Sequence, residues 1–289
     1  MIMWNEISQA ISQKTSNKFT IENRLSVGGG CINQAYQLIG KEQNYFIKLN
    51  NASQVEMFSA EALALQQIYD TNTIRVPKPI CWGIAENNSY IVLEWLNLGR
   101  GDNQSWLEMG RKLALLHQAG KENRFGWQIN NTIGATPQIN DWGSNWANFF
   151  AETRIGYQLR LASRRGGNFG NSSLIIETIR EKLKSRNPQP SFVHGDLWSG
   201  NAACTTEGEP VIIDPASYYG DREVDIAMSE LFGRFPQSFY DGYQQEWALD
   251  KGYDERKTIY NLYHILNHFN LFGSGYGNQA DSMIRKIMK

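Results

Sequence analysis

Along the first hundred residues the apolar positions recur mainly at a spacing of two, interrupted by one helical run. Beyond residue 102 they recur mainly at three and four. At the start, Trp4, Ile7, Ala10 and Ile11 predict a short amphipathic helix over 4–14, able to cover a sheet edge. A strand running from Phe19 to Ser26 and a second over 34–39 flank Gly28-Gly29-Gly30, which reads as a hairpin with a glycine tip. Gly40-Lys41-Glu42-Gln43 turns into a third strand, where Tyr45, Ile47 and Leu49 share one face and Phe46 and Lys48 the other. A helix is expected over 54–69, opened by Ser53 with Glu56 three residues later, a capping-box signature. Val76-Pro77-Lys78-Pro79 ends that segment, because proline disfavours helix at the residue before it. Strands over 80–84 and 89–96 follow, joined by Glu86-Asn87-Asn88. Residues 1–96 thus predict a small α+β lobe of five strands and one main helix, and the loop-like 97–102 is the candidate hinge.

The remainder, 103–289, reads as a larger, mostly helical lobe. Helices are expected over 106–118 (closed by Gly120), 145–163, 173–185, 223–232, 239–248 and 254–272. The second of these carries Trp146, Phe149, Phe150, Thr153 and Tyr157 at spacings of three and four, and Arg164-Arg165-Gly166-Gly167-Asn168 breaks it. There is no internal repeat.

Composition narrows the partner. With charged residues at 20% and a net charge of -1, the chain presents neither a basic field for nucleic acid nor an acidic tail. No apolar run approaches the ~18 residues of a membrane span, and the N-terminus lacks the pattern of a signal peptide. Cys31, Cys81 and Cys204 have no metal-ligand spacing and fit a reducing compartment. The expectation is a soluble cytoplasmic protein, a monomer or weak homodimer, acting on a small molecule.

Candidate chemistry centres on Phe192-Val193-His194-Gly195-Asp196-Leu197-Trp198-Ser199-Gly200-Asn201 and, after an apolar strand, Asp214. One carboxylate, an amide five residues on, a strand and a second carboxylate are the parts of a phosphoryl-transfer site. The first acid takes the proton of the attacking hydroxyl, while the amide and the second acid hold Mg²⁺ against nucleotide phosphates. Each acid alone is an ordinary turn or cap residue; their joint order carries the reading. Lys48 lies two strands after the glycine turn, the position of a phosphate-holding lysine, and Glu61 on the following helix can pair with it. No Gly-Lys-Ser/Thr follows the glycines, which excludes a Walker-type loop.

The His-Gly-Asp form of the loop resembles small-molecule kinases of the aminoglycoside phosphotransferase type. The fuller His-Gly-Asp-Leu-Trp-Ser-Gly-Asn, the Gly29-Gly30-Cys31-Ile32-Asn33 turn and the late run 266–277 resemble the fructosamine (ketosamine) 3-kinase family. Further matches are Arg124-Phe125-Gly126-Trp127, the run 131–138 and Gly220-Asp221-Arg222-Glu223-Val224-Asp225. That resemblance spans nearly the whole chain. It implies a two-lobed protein-kinase-like fold, ATP and Mg²⁺ as cofactors, and phosphorylation of the sugar 3-hydroxyl of a ketoamine. Asp196 becomes the catalytic base, and Asn201 and Asp214 the metal ligands. Gly28, Gly29, Gly30, Cys31 and Lys48 would hold the phosphates, Glu61 would complete the nucleotide site by pairing with Lys48, and the backbone of Glu94 to Leu96 would meet the adenine edge. Trp198 and His268 are the candidate substrate residues; His194 and Asp225 read as buttresses. A kinase of another hydroxyl (aminoglycoside, choline or homoserine) and a nucleotide-binding pseudokinase remain the alternatives. The presence of Lys48, Glu61, Asp196, Asn201 and Asp214 together argues against the second.

Overall fold

Residues 2–28, 32–120 and 122–289 are described here, from a computed structural model. The expectations placed on Gly29, Gly30 and Cys31 lie outside those residues. The chain divides into two compact units, Met1–Gly101 with Ala203–Asp214, and Asp102–Ala202 with Pro215–Lys289.

The first unit opens with helix α1 (Ile2–Thr15) and an antiparallel sheet of β1 (Asn23–Ser26), β2 (Gln34–Ile39), β3 (Asn44–Asn51), β4 (Pro79–Ala85) and β5 (Asn88–Glu94). The order across the sheet is β1-β2-β3-β5-β4. The alternation in β3 decides what each face meets. Tyr45, Ile47 and Leu49 join Ile7 and Ile11 of α1 and Cys81, Ala85 and Val92 in one buried cluster. Helix α1 therefore covers a face of the sheet, and not only an edge as its short apolar stripe suggests. Lys48, on the opposite face of β3, meets Glu61 of helix α2 (Val55–Asp70).

The start of α2 departs from the capping-box expectation. A 3₁₀ turn, Ala52–Gln54, precedes it, and Asn51 accepts the Ser53 N–H, so Gln54 stands at the N-cap without a side-chain bond. An Asx turn has displaced the serine cap, as asparagine's short side chain favours. The loop-like stretch after β5 contains a short strand, Leu98–Gly99, paired antiparallel with Thr205 and Cys204. Strand Pro210–Ile212 lies on the other side of Ala202–Thr205, which ties 203–214 into the first unit.

The second unit is helical. Helix α3 (Asn103–Gln118) is capped by Asp102, which accepts the Ser105 N–H at 2.8 Å, and ends at Ala119, one residue before Gly120. The long helix expected over 145–163 is interrupted. It runs as α4 (Trp146–Phe149), a π segment Phe150–Gly156, and α5 (Tyr157–Arg164). The wholly buried Arg154 lies in the π segment; it donates to Ile139 O at 2.5 Å and Asn140 Oδ1 at 2.7 Å, and its guanidinium lies 4.1 Å from the Tyr218 ring. An inserted residue in the helical ladder re-aims side chains in this way.

After α6 (Ser172–Leu183) come α7 (Glu223–Ser229), α8 (Gln237–Glu246), α9 (Tyr253–Phe272) and α10 (Gly277–Ile287). The last has no counterpart in the sequence reading. Helices α3 and α8 approach backbone to backbone: a Cβ on Gly110 would sit 2.0 Å from Phe239 O, and one on Gly242 2.0 Å from Leu107 O. Only glycine at both positions permits that packing.

Candidate active site

In the first unit the chemistry gathers around Lys48. Its Nζ bonds Glu61 Oε1 at 2.7 Å and also Asp214 Oδ1. Strand pairing fixes the lysine, because β3 lies between β2 and β5, with Lys48 opposite Ala35 on one side and Ile91 on the other. Lys48 is 6% exposed. Burial alone would lower its pKa, but the charges of Asp214 and then Glu61 outweigh burial and raise it, so the ammonium persists at any physiological pH. Glu61 is pushed up by burial and by Asp214, against the pull of Lys48. Asp214 has φ 55, the left-handed region, which a non-glycine residue adopts at a cost of about 1 kcal/mol or more. Its side chain is 44% exposed. A strained, accessible carboxylate held by a buried ammonium is the arrangement expected of a functional acid rather than of a turn residue.

At the end of β5, Glu94 accepts from Arg75 and from Lys78 N–H at 3.2 Å, while its own N–H is spent on Lys78 O at 2.9 Å. The backbone of Arg75 also accepts from Ile212 N–H at 3.0 Å, two residues before Asp214. Arg75 was invisible to motif reading, since nothing in its spacing marks it. Gly28 ends the described part of the glycine turn, with open space where a Cβ would lie.

In the second unit, strand Ser191–Val193 pairs with Tyr218–Gly220 and delivers the 194–201 loop. Gly195 has φ +83, and a Cβ there would meet Ala216 O at 2.2 Å, so glycine is required beside Asp196. Asp225 of α7 accepts His194 N–H at 2.6 Å and Gly195 N–H at 2.8 Å, and bonds His117 Nε2 at 3.0 Å. Burial would raise this carboxyl, but the His117 bond and the Gly195 amide outweigh it, and its pKa is lowered. His194 is buried, and its Nδ1 accepts the Asp196 N–H at 3.2 Å. The loop is therefore fixed through its backbone, which leaves Asp196 half-buried.

Asn201 folds back on the acid. Its Nδ2 donates to Asp196 O at 2.9 Å and to Asp196 Oδ2 at 3.2 Å. With the nitrogen so engaged, Oδ1 is the end left to coordinate. Mg²⁺ takes hard oxygen ligands and is commonly held by one or two protein groups plus phosphate oxygens. The Asn201 amide oxygen in the second unit and the accessible Asp214 carboxylate in the first are each a ligand of that kind. Among the described residues there is no group of three or more His, Cys, Asp or Glu that could hold a metal by itself.

Trp198 and His268 fall into one aromatic array. The Trp198 ring is 37% exposed and meets Phe232 edge-on at 6.5 Å. Phe232 lies 4.5 Å from the His268 ring, which in turn lies 5.1 Å from Tyr276 and 5.5 Å from Phe272. Burial lowers the His268 pKa, so its imidazole is neutral at pH 7, and Nδ1 donates to His264 O at 2.8 Å. Phe232 was not marked by any motif, and Tyr276, although within the 266–277 run, was not marked as a site residue, because neither belongs to a periodic pattern shared with Trp198.

A buried polar network holds the chain after Asp214. Gln138 Nε2 donates to Ala216 O at 2.9 Å and Asn131 Nδ2 to Ser217 O at 2.9 Å. Tyr263 OH donates to Gln138 Oε1 at 2.7 Å. The run 131–138, two short strands paired as a hairpin, is thus a brace for the segment that also contacts the loop: Ala216 N–H donates to His194 O at 2.9 Å.

Comparison with known proteins shows the family. The family model described as fructosamine kinase matches residues 3–289. A protein described as a probable ketoamine kinase from Synechocystis sp. is 57% identical over 286 residues, covering 99% of this chain and 97% of that one. A chloroplastic protein-ribulosamine 3-kinase of Arabidopsis thaliana is 45% identical over 269 residues, covering 91% of this chain and 82% of the relative. The crystal structure of a protein assigned as a fructosamine-3-kinase from Haemophilus somnus superposes with a TM-score of 0.95 at 35% identity, covering 100% of this chain and 98% of that one. The five-stranded antiparallel sheet followed by a helical remainder is the α+β fold of protein-kinase-like phosphotransferases, and the chain belongs to the fructosamine kinase family.

Proposed function

We propose that this protein transfers the γ-phosphoryl group of ATP to the sugar 3-hydroxyl of ketosamines of the fructosamine or ribulosamine type, a step in the repair of glycated amines. Asp196 takes the hydroxyl proton as the new O–P bond forms and ADP departs. Asn201 and Asp214 hold Mg²⁺, which supplies charge neutralisation at the phosphates. Lys48, kept charged and oriented by Glu61, holds the phosphates with the glycine turn Gly28, Gly29, Gly30 and Cys31, and the backbone of Glu94 to Leu96 meets the adenine.

The observation that carries the acceptor assignment is the half-exposed Trp198 ring, two residues from Asp196 and continuous through Phe232 with His268. A flat apolar face beside the base suits a sugar ring and the cationic amine attached to it. A desolvated cation–π contact is worth ~2 kcal/mol, or roughly thirtyfold. Trp198→Ala is therefore expected to lower kcat/KM for a ketosamine by about that factor and to leave background ATP hydrolysis near its original rate. The measurement compares fructosamine, ribulosamine and their free sugars with wild type and variant. Equal use of ketosamines and free sugars, or an unchanged preference in the variant, refutes the ketosamine assignment.

A further inference from the structure

Beyond the aromatic array the second unit holds a cavity of about 630 Å³, within the range of ~300–1,000 Å³ usual for small-molecule sites. It lies where the end of α5 meets the turn between α9 and α10. Arg165, the residue that caps α5, stands on its wall, as does Asp281 of α10. Among the described residues, neither charged side chain has an ion-pair or hydrogen-bond partner, although they line one cavity. Asn168 and Asn278 add neutral donors and acceptors, while Phe169 and Phe269, in edge contact at 5.1 Å, supply an apolar wall. The chemistry offered is one cation, one anion and an aromatic surface. It complements a molecule carrying a carboxylate and an ammonium on one carbon with an aliphatic arm attached.

The cavity is linked to the aromatic array by one short segment. The 273–277 turn places Tyr276 on the His268 ring at 5.1 Å, and Gly273 and Gly277 of the same turn border the cavity. A ketosamine built on the side chain of lysine carries groups for both places on one molecule. Its sugar is at one end of a tetramethylene arm, and its α-carboxylate and α-ammonium are at the other.

We propose that this cavity binds the α-amino-acid end of the carrier, with the carboxylate at Arg165 and the ammonium at Asp281, so that ketosamines of free lysine are favoured over blocked ones. The proposal rests on the ketosamine reading above and names the carrier that reading leaves open. Protein-bound lysine lacks both charges, so the cavity would distinguish free glycated lysine from glycated protein.

Three acceptors test it: the Nε-ketosamine of free lysine, the same compound with its α-amine acetylated and its carboxyl amidated, and the ketosamine of propylamine. An accessible ion pair contributes up to ~1 kcal/mol, about fivefold. Wild type is expected to use the free-lysine compound with kcat/KM at least about fivefold above the blocked one. Arg165→Gln and Asp281→Asn should each remove about fivefold for the free compound and leave the other two acceptors unchanged. Equal kcat/KM for free and blocked compounds in the wild type overturns the proposal. So does a variant that slows all three alike, since that marks support of the turn rather than carrier binding. If no ketosamine is phosphorylated, the ketosamine reading itself fails, and calorimetry with L-lysine decides on the cavity. Heat of binding that disappears in Arg165→Gln supports it, and no heat with wild type overturns it.

Discussion

Replacing Asp225 by Asn removes one charge and changes no volume, yet it is expected to disable the loop that carries Asp196. The carboxylate receives three bonds on two oxygens: His194 N–H and His117 Nε2 at Oδ2, and Gly195 N–H at Oδ1. An amide has one oxygen. In either orientation its NH₂ group faces a backbone N–H, so one buried donor on the 194–196 segment loses its acceptor. Leaving a buried donor unsatisfied costs about 1–3 kcal/mol, and a bond to a charged group is worth about 1.5–3 kcal/mol. Together these give a destabilisation of roughly 2.5–6 kcal/mol. At about 2–4 °C per kcal/mol, Tm should fall by roughly 5–24 °C. Function should suffer as well as stability, because Gly195 directly precedes Asp196, the proposed base. A misplacement near 1 Å costs about 10²-fold in rate, so kcat is expected to fall between ~10- and ~100-fold at a temperature where the variant is folded. KM for ATP should hold, since Lys48, proposed to hold the phosphates, and its partner Glu61 lie in the other unit. Thermal melts and initial rates on one ketosamine measure both. A variant with wild-type kcat and a Tm within about 1 °C refutes the claim that Asp225 positions the loop.

Three further outcomes are expected. Asp196→Ala should lower kcat by at least ~10²-fold, the usual contribution of a positioned base, with little change in ATP affinity; near-normal turnover removes Asp196 from its role. Asp214→Ala should abolish Mg²⁺-dependent nucleotide binding and Asn201→Ala should weaken it less, because the first removes a charge and the second one neutral oxygen; Mg²⁺ titrations at fixed ATP that leave both variants unchanged refute the assignment. Buried His264, whose Nδ1 has no hydrogen-bond partner among the described residues, has its pKa pushed down to about 3 by burial and then by neighbouring His268. Between the unfolded value near 6.5 and about 3 the unfolded chain takes up a proton that the native state refuses, so stability falls as pH falls through that window. At about 1.4 kcal/mol per pH unit, wild type should lose roughly 2 kcal/mol from pH 6.5 to pH 5 that His264→Gln does not lose; parallel denaturation curves for the two proteins refute it.

Much of the site was legible in the amino-acid sequence because its determinants are local. A period of two in 45–49 suffices to put Lys48 on the face opposite Tyr45, Ile47 and Leu49, and steric rules make that alternation independent of what packs above. The order Asp196, Asn201, strand, Asp214 is likewise set by chain connectivity. Partners distant in sequence are another matter. Asp225 holds amides some thirty residues upstream, and the Trp198 ring meets Phe232, which in turn meets His268 and Tyr276, residues from three separate elements. Nothing in a spacing rule brings such groups together; they meet because burial demands that each apolar ring and each buried N–H find a partner. The π segment around Arg154 is the clearest case. Helical spacing from Trp146 to Tyr157 reads as one continuous helix, and local propensity offers no reason for a break. Only in the folded unit does a wholly buried guanidinium have to reach Ile139 O and Asn140 Oδ1, and the helix carries the irregular turn because leaving that charge unpaired would cost far more than a distorted ladder.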